Sequence, residues 1–218
     1  MNVRYTTLGK AAGIVVLVFS TIAWAAESPT EAIRRTVQQA THILQDPANH
    51  GKEKFKERID KVRSIVEPQF DVQEIAKRTM GTYWQERTEQ ERKEFITVFT
   101  ELVQKTYSGT LDRYNSDVQF FYDQERIDGK FAEVDSRIFE PAQNKAFAIT
   151  YKMHQVNNRW LIYDVVAENI SMVRNYRNQF NRILSKSSYQ ELIQTLQTKI
   201  KELDTAPTSV SARTPSAG

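Results

Sequence analysis

The succession of hydrophobic periods predicts an α+β fold, with helices packed on a curved four-stranded antiparallel sheet that encloses an apolar compartment. Three observations carry that prediction. From Ser28 to Tyr114 the apolar residues recur at helical spacing. From Val118 to Ala167 they form four short segments, two of them strictly alternating, joined by short loops, the pattern of an antiparallel meander. The stretch Trp160 to Phe180, WLIYDVVAENISMVRNYRNQF, then passes from strand to helix within a single turn. Helices on both sides of a run of strands place the helices over one face of the sheet.

The helical half opens at Ser28-Pro29-Thr30-Glu31, a capping box with Pro at the first helical position. Ile33, Val37, Ala40 and Leu44 carry that helix to about Asp46, and Pro47 to Gly51 break it. Phe55, Ile59, Val62 and Val66 mark a second helix, stopped by Pro68. Asp71 and Glu74 open a short third helix, with Gly81 as its stop and Tyr83 and Trp84 placed to wedge neighbouring elements. Thr88 and Glu91 cap a long fourth helix. Its stripe of Phe95, Val98, Phe99, Leu102, Val103, Tyr107, Leu111 and Tyr114 is wider than a two-helix contact needs.

The first strand is expected over Val118 to Tyr122. Phe131 to Phe139 follows, with Ala132, Val134, Ser136 and Ile138 on one face and Glu133, Asp135 and Arg137 on the other. Lys145 to His154 places Phe147, Ile149, Tyr151 and Met153 on one face. Asn157-Asn158 is a hairpin signal leading into Trp160 to Ala167, whose apolar run is broken only by Asp164. Asn169 stands where the backbone turns and tolerates positive φ. Ser171 is the expected N-cap of a helix that buries Met172, Tyr176, Phe180 and Ile183 and turns Arg174, Arg177, Asn178 and Asn181 outward. A last helix opens at Ser188, with Glu191 three residues on, and buries Leu192, Ile193, Leu196 and Ile200.

Residues 1–25 read as a secretory leader. Arg4 and Lys10 flank the start of the apolar run Ala11 to Ala23, which ends in the cleavage signature Ala23-Trp24-Ala25. That run is shorter than the roughly 20 apolar residues of a membrane-spanning helix, so cleavage before Ala26 is expected. Residues 26–203 form one domain, and from Asp204 onward the Thr, Ser, Pro and Ala of 204–218 predict a disordered tail. The chain has no cysteine, which excludes disulfides, thiolate metal sites and a lipoprotein anchor. Without the leader's two cations, 28 Lys and Arg stand against 27 Asp and Glu, a mixed surface and no nucleic-acid-binding patch.

Catalytic patterns are missing. His42, His50 and His154 are singletons, with no metal-ligand spacing and no metal site implied. There is no nucleophile elbow, no metalloprotease motif and no glycine-rich phosphate loop, so no catalytic residue and no cofactor are expected. Asp135 and Asp164 lie on neighbouring strands and could pair as carboxylates. If either pointed into the compartment, a cone-fold enzyme or a protein binding a small polar ligand would be the alternative reading.

Three stretches, taken together, resemble one family. They are Phe70-Asp71 with Ile75-Ala76-Lys77-Arg78, Gly81 and Trp84; the helix Phe95 to Tyr114 with Thr106-Tyr107, Leu111 and Tyr114; and Tyr163-Asp164-Val165 with Ala167 to Met172, Asn175-Tyr176-Arg177 and Phe180. The chain resembles the MlaC family over about Ser28 to Leu203, with Asn169 where the family usually has Gly. The resemblance implies a non-enzymatic periplasmic carrier of glycerophospholipid. Its expected partners are phospholipid, the MCE-type substrate-binding subunit of an inner-membrane ABC transporter and an outer-membrane lipoprotein–porin complex, acting to keep outer-membrane lipid asymmetric.

The residues agree with such a task. Exposing two acyl chains to water costs on the order of 20 kcal/mol, at about 0.8 kcal/mol per CH₂, so a soluble carrier must enclose them. The expected lipid-lining residues are the bulky members of the stripe and strand faces: Phe99, Val103, Tyr107, Phe147, Ile149, Tyr151, Tyr163 and Val165, with Ile170 at the sheet-to-helix turn. Arg174 and Arg177 are the candidates for the headgroup phosphate.

Overall fold

The computed structural model describes residues 27–49, 51–111 and 118–205, without the side chains of 52 and 108–111. The expected leader, His50, Tyr114 and the tail beyond Thr205 lie outside the described residues, as does the side chain of Leu111. The helices are α1 (Pro29–Gln45), α2 (Phe55–Val66), α3 (Val72–Met80), α4 (Glu89–Leu111), α5 (Met172–Leu184) and α6 (Tyr189–Thr205). The strands β1 (Gln119–Asp128), β2 (Phe131–Glu140), β3 (Lys145–Val156), β4 (Arg159–Ala167) and β5 (Ile170–Ser171) form one antiparallel sheet in the order β1-β2-β3-β4-β5.

Local chemistry places the helix starts where the sequence signals them. Ser28 accepts from the Glu31 amide, and Asp71 from the Glu74 amide. α4 and α6 open on reciprocal capping boxes, Thr88 with Glu91 and Ser188 with Glu191, each satisfying two amides that a helix start leaves bare. Gly81 ends α3 at φ 59°, a conformation strained for any side chain, and the aliphatic part of Arg177 packs beside it. The last helix continues through Asp204 and Thr205, two residues past the expected boundary, and Lys105 of α4 pairs with Asp204.

The sheet departs from expectation in three ways. It has five strands, because Glu168 and Asn169 both take positive φ (48° and 66°) and turn the chain back on itself, pairing Val166 with Ser171. Glu168 is an unusual residue there. Its amide donates to the Ala148 carbonyl and its carboxylate accepts from the Ala148 amide, which offsets the strain. Second, β1 runs to Asp128, six residues beyond Tyr122. It is an edge strand, so Glu125, Arg126 and Asp128 face water and no apolar alternation marks it. Third, a bulge at Lys152/Met153 leaves Tyr163 as an extra residue of β4.

The helices divide between two cores. α1 packs on the face carrying Ala132, Val134, Met153, Trp160 and Ile162, the inner face. α3, α4, α5 and α6 instead form a second core of their own, built on Met80, Phe95, Phe99, Phe180 and Leu192. Phe99 meets Tyr176 and Phe180 edge-on, with ring centroids 4.9 and 5.5 Å apart, and stacks on Phe95 at 5.5 Å. This helical unit adjoins the β4 side of the sheet. The Asp71 amide donates to the Ile162 carbonyl, and Phe70 packs against both cores. Gln69 ties α1 to β4, accepting from Thr36 and donating to the Trp160 carbonyl.

Asp164 closes the joint between sheet and helices. It is 6 % exposed, accepts from the Ser171 hydroxyl at 2.6 Å and from the Val173 amide at 3.0 Å, and so anchors the first turn of α5 to β4. Ser171 itself caps the Arg174 amide, as its position predicts. Asp164→Ala strands both donors in a buried place and is expected to cost about 1–3 kcal/mol in urea unfolding, with Asp164→Asn losing less because one acceptor survives.

Candidate functional site

The inner face of the sheet is mostly apolar, but α1 buries only half of it. Cross-strand pairing defines the face: Ala132 with Met153, Val134 with Tyr151, Ser136 with Ile149, and Ile138 with Phe147, continued onto β4 by Tyr151 with Val165 and Ile149 with Ala167. Where α1 lies, Val134 and Met153 are 0 % exposed. Toward the other end, Phe120, Ile138, Phe147, Ile149 and Ala167 are half-exposed and belong to neither buried core, and Ile170 beyond them is exposed. The strand parity expected for Phe147, Ile149 and Tyr151 holds.

The helical stripe changes character in step with this. Along α4, Phe95 and Phe99 are buried and Val103 is half-buried against the same core, while Tyr107, two turns beyond Phe99, is 41 % exposed. Surrounding protein nevertheless desolvates the Tyr107 hydroxyl and raises its pKa. Tyr176 lies beside it on α5, buried, with its own pKa raised mainly by burial, and its hydroxyl bonds to that of Thr106. α5 leaves the sheet directly after β5, whose Ile170 pairs with Ala167.

The other expected site residues separate. Phe99 is enclosed in the helical core. Tyr163 does not share a face with Val165: the bulge turns it to the outer face, where its ring meets Phe131 and His154, and the Arg78 guanidinium lies 4.0 Å over it. Arg177 donates to the Arg78 carbonyl at 2.6 Å and so holds the end of α3. Arg174 is exposed and lines a depression of about 290 Å³ on the outer face, with Arg126, Lys152 and Glu133. Phe120, Ile138 and Ala167 join the uncovered patch without having been singled out. Ile138 was legible from alternation, but Phe120 and Ala167 depend on which strands pair.

Cross-strand ion pairs gather on the outer face, while Lys145 lies 4.5 Å over the Phe147 ring on the inner one. Arg126 pairs with Glu133 and Asp135, Lys152 with Glu133, and Arg137 with Asp123. Hydrogen bonds from Lys152 and then Arg126 hold the Glu133 carboxyl below its ordinary 4.5, and that from Arg126 similarly lowers Asp135. Asp135 also accepts from Thr150. Both candidate catalytic acids, Asp135 and Asp164, are thus engaged away from the inner face. His154, taken as a singleton, is held by Asp71 at 3.0 Å. Among the described residues no group of His, Asp or Glu side chains is arranged to hold a metal ion, and no helix is long and apolar enough to cross a membrane.

These features define an α+β protein with a half-covered apolar sheet face. The fold is similar to that of the phospholipid-binding protein of Ralstonia solanacearum, solved in complex with a phospholipid. The TM-score is 0.69 at 22 % identity, over 79 % of this chain and 97 % of that one. The intermembrane phospholipid transport system binding protein MlaC of Haemophilus influenzae is 24 % identical over 168 residues, 74 % of this chain and 78 % of that protein. The family model described as MlaC protein matches residues 34–198. The chain belongs to the MlaC family.

Two measurements check the site. Ile162→Ala, in the covered half, is expected to cost about 2–5 kcal/mol, whereas Ile149→Ala, already half-exposed, costs clearly less in the same urea titration. Because the Glu133 pKa is lowered in the folded state, its stabilising contribution is present above 4.5 and disappears as pH falls through the folded value. Glu133→Gln should therefore lower Tm at pH 7, and its difference from the parent should shrink as pH falls below 4.5.

Proposed function

We propose that the protein is a non-enzymatic periplasmic carrier that holds the acyl chains of a glycerophospholipid against the uncovered half of the inner sheet face. It exchanges that lipid between an inner-membrane ABC transporter, through its MCE-type subunit, and an outer-membrane lipoprotein–porin complex, and so serves outer-membrane lipid asymmetry. The observation that carries this reading is the patch itself. Phe120, Ile138, Phe147 and Ile149 form a continuous apolar surface that neither core buries, and hydrocarbon is what such a surface removes from water.

The Haemophilus relative's name and the phospholipid in the Ralstonia structure point the same way. Tyr151, Val165 and Ile170 continue the patch on the neighbouring strands, and the proposed lining also takes in Val103 and Tyr107 of α4. Tyr163 is left out of it, and so are Arg174 and Arg177. The enzyme alternative requires an acid in the cavity. Asp135 and Asp164, its two candidates, are bonded on the outer face and at the α5 joint.

The test is lipid retention. Protein purified without added lipid and extracted under denaturing conditions should release phospholipid, identified by mass spectrometry. Ile149→Asp should keep its circular dichroism spectrum and lose that lipid, since a carboxylate on the patch must stay hydrated. A folded parent that yields only water-soluble metabolites sinks the carrier reading, and a folded Ile149→Asp with a full lipid load moves the tails elsewhere.

A further inference from the structure

The inner face of the sheet carries few polar side chains at its uncovered end, and their bonds can be followed one at a time. The Ser136 hydroxyl donates to the Ile149 carbonyl. The Glu140 carboxylate, opposite Lys145 in the register of β2 and β3, accepts from the Gln143 side-chain amide at 3.0 Å. Lys145 is different. It shares the face of Phe147 and Ile149 by strand parity, and its ammonium lies 4.5 Å over the Phe147 ring. That ammonium makes no hydrogen bond or ion pair among the described residues.

The other cations of the sheet have partners. Arg126, Arg137 and Lys152 are held by carboxylates on the outer face, and Arg159 donates to the Pro68 carbonyl. Arg34 of α1 lies 4.6 Å over the inner-face Tyr122 ring, but Glu31 holds it at 3.1 Å. The place of Lys145 along β3 gives its charge a direction. Met153 is 0 % exposed under α1, Ile149 and Phe147 are half-exposed, and Lys145, where the strand begins, is exposed. At about 3.3 Å per residue, Lys145 stands about 13 Å along the strand from Ile149. An amphiphile whose chains lie on Ile149 and Phe147 is closed off by α1 at one end, so its polar part belongs at the other, where the face meets water.

Resting on the carrier reading above, we propose that the Lys145 ammonium receives the phosphate of the bound phospholipid at the open end of the apolar strip. An ammonium binds phosphate as a point charge, and this one has no carboxylate to give up first. Its contact with the Phe147 ring sets the charge beside the strip without engaging its donors. Glu140 opposite keeps the local charge close to balance, so the contact is one exposed ion pair rather than a basic funnel. A lysine serving only to cover Phe147 with its stem would treat lipids with and without a phosphate alike.

The experiment offers the protein phosphatidylcholine vesicles carrying equal minor amounts of phosphatidylglycerol and diacylglycerol with the same chains. Protein is then re-isolated, and the bound ratio of phosphatidylglycerol to diacylglycerol is measured by mass spectrometry. Lys145→Met, which keeps the stem over Phe147 and removes the charge, should lower that ratio about 1.5- to 5-fold, the range of one exposed ion pair, with an unchanged circular dichroism spectrum. Lys145→Arg should keep the parent's ratio, and added sodium chloride should narrow the gap between parent and Lys145→Met. A folded Lys145→Met with the parent's ratio overturns the proposal while the carrier reading stands. So does a gap abolished by inorganic phosphate at an ionic strength matched with chloride, which assigns Lys145 to the free ion. A folded parent that takes up no lipid overturns the carrier reading, and the Lys145 assignment with it.

Discussion

A buried carboxylate needs donors, and the way Asp164 obtains them organises the molecule. Its two partners are the Ser171 hydroxyl and the Val173 amide, both at the start of α5. The negative charge meets the positive end of the helix, and two polar groups of the first turn are satisfied together. Once α5 is pinned to β4 in this way, Tyr176 and Phe180 are delivered to Phe95 and Phe99, and Arg177 reaches the carbonyl end of α3. The helical core is therefore hung on β4 through this joint and through Asp71, whose amide bonds the Ile162 carbonyl, with Phe70 as the hydrophobic residue packed against both cores.

Two separate cores on one sheet leave a gap in coverage. α1 buries Ala132, Val134, Met153 and Trp160, while α3 to α6 bury one another beside β4, and the far half of the inner face is left to neither. In a protein that only had to be stable, filling that half would be the cheaper solution, since each buried aliphatic side chain contributes roughly 1.5–3 kcal/mol. The sheet's ion pairs meanwhile lie on the outer face, in a ladder of cross-strand pairs from Arg126 to Lys152. A mostly apolar surface on one side and a solvated ionic surface on the other let one thin sheet serve two environments.

Local signals in the chain determined most of the architecture. The capping residues at Ser28, Asp71, Thr88, Ser171 and Ser188 located helix starts, because a helix start needs an acceptor for its bare amides whatever surrounds it. Alternation placed Ala132 to Ile138 and Phe147 to Met153 on the correct face, since side-chain direction in a strand has a period of two. Asn157 and Asn158 marked a tight hairpin, and both take positive φ. The wide stripe on α4 signalled that something beyond a two-helix contact is needed there.

What only the tertiary structure decided is where a local pattern meets a neighbour. Nothing in Tyr163-Asp164-Val165 announces a bulge. It follows from matching β3 to β4 while holding Asp164 on α5, and it moves Tyr163 to the outer face. β1 past Tyr122 carries no apolar code, because an edge strand is held by backbone pairing to β2 and its side chains face water. Arg177 has the spacing of a solvent-facing residue, yet the end of α3 lies within its reach. Phe99 and Tyr107 occupy the same stripe, and only the packing of α5 makes one a core residue and the other part of an open wall. Period and capping are properties of a few consecutive residues and are legible in any sequence. Register, burial and coverage depend on surfaces that come together only when the whole chain has folded.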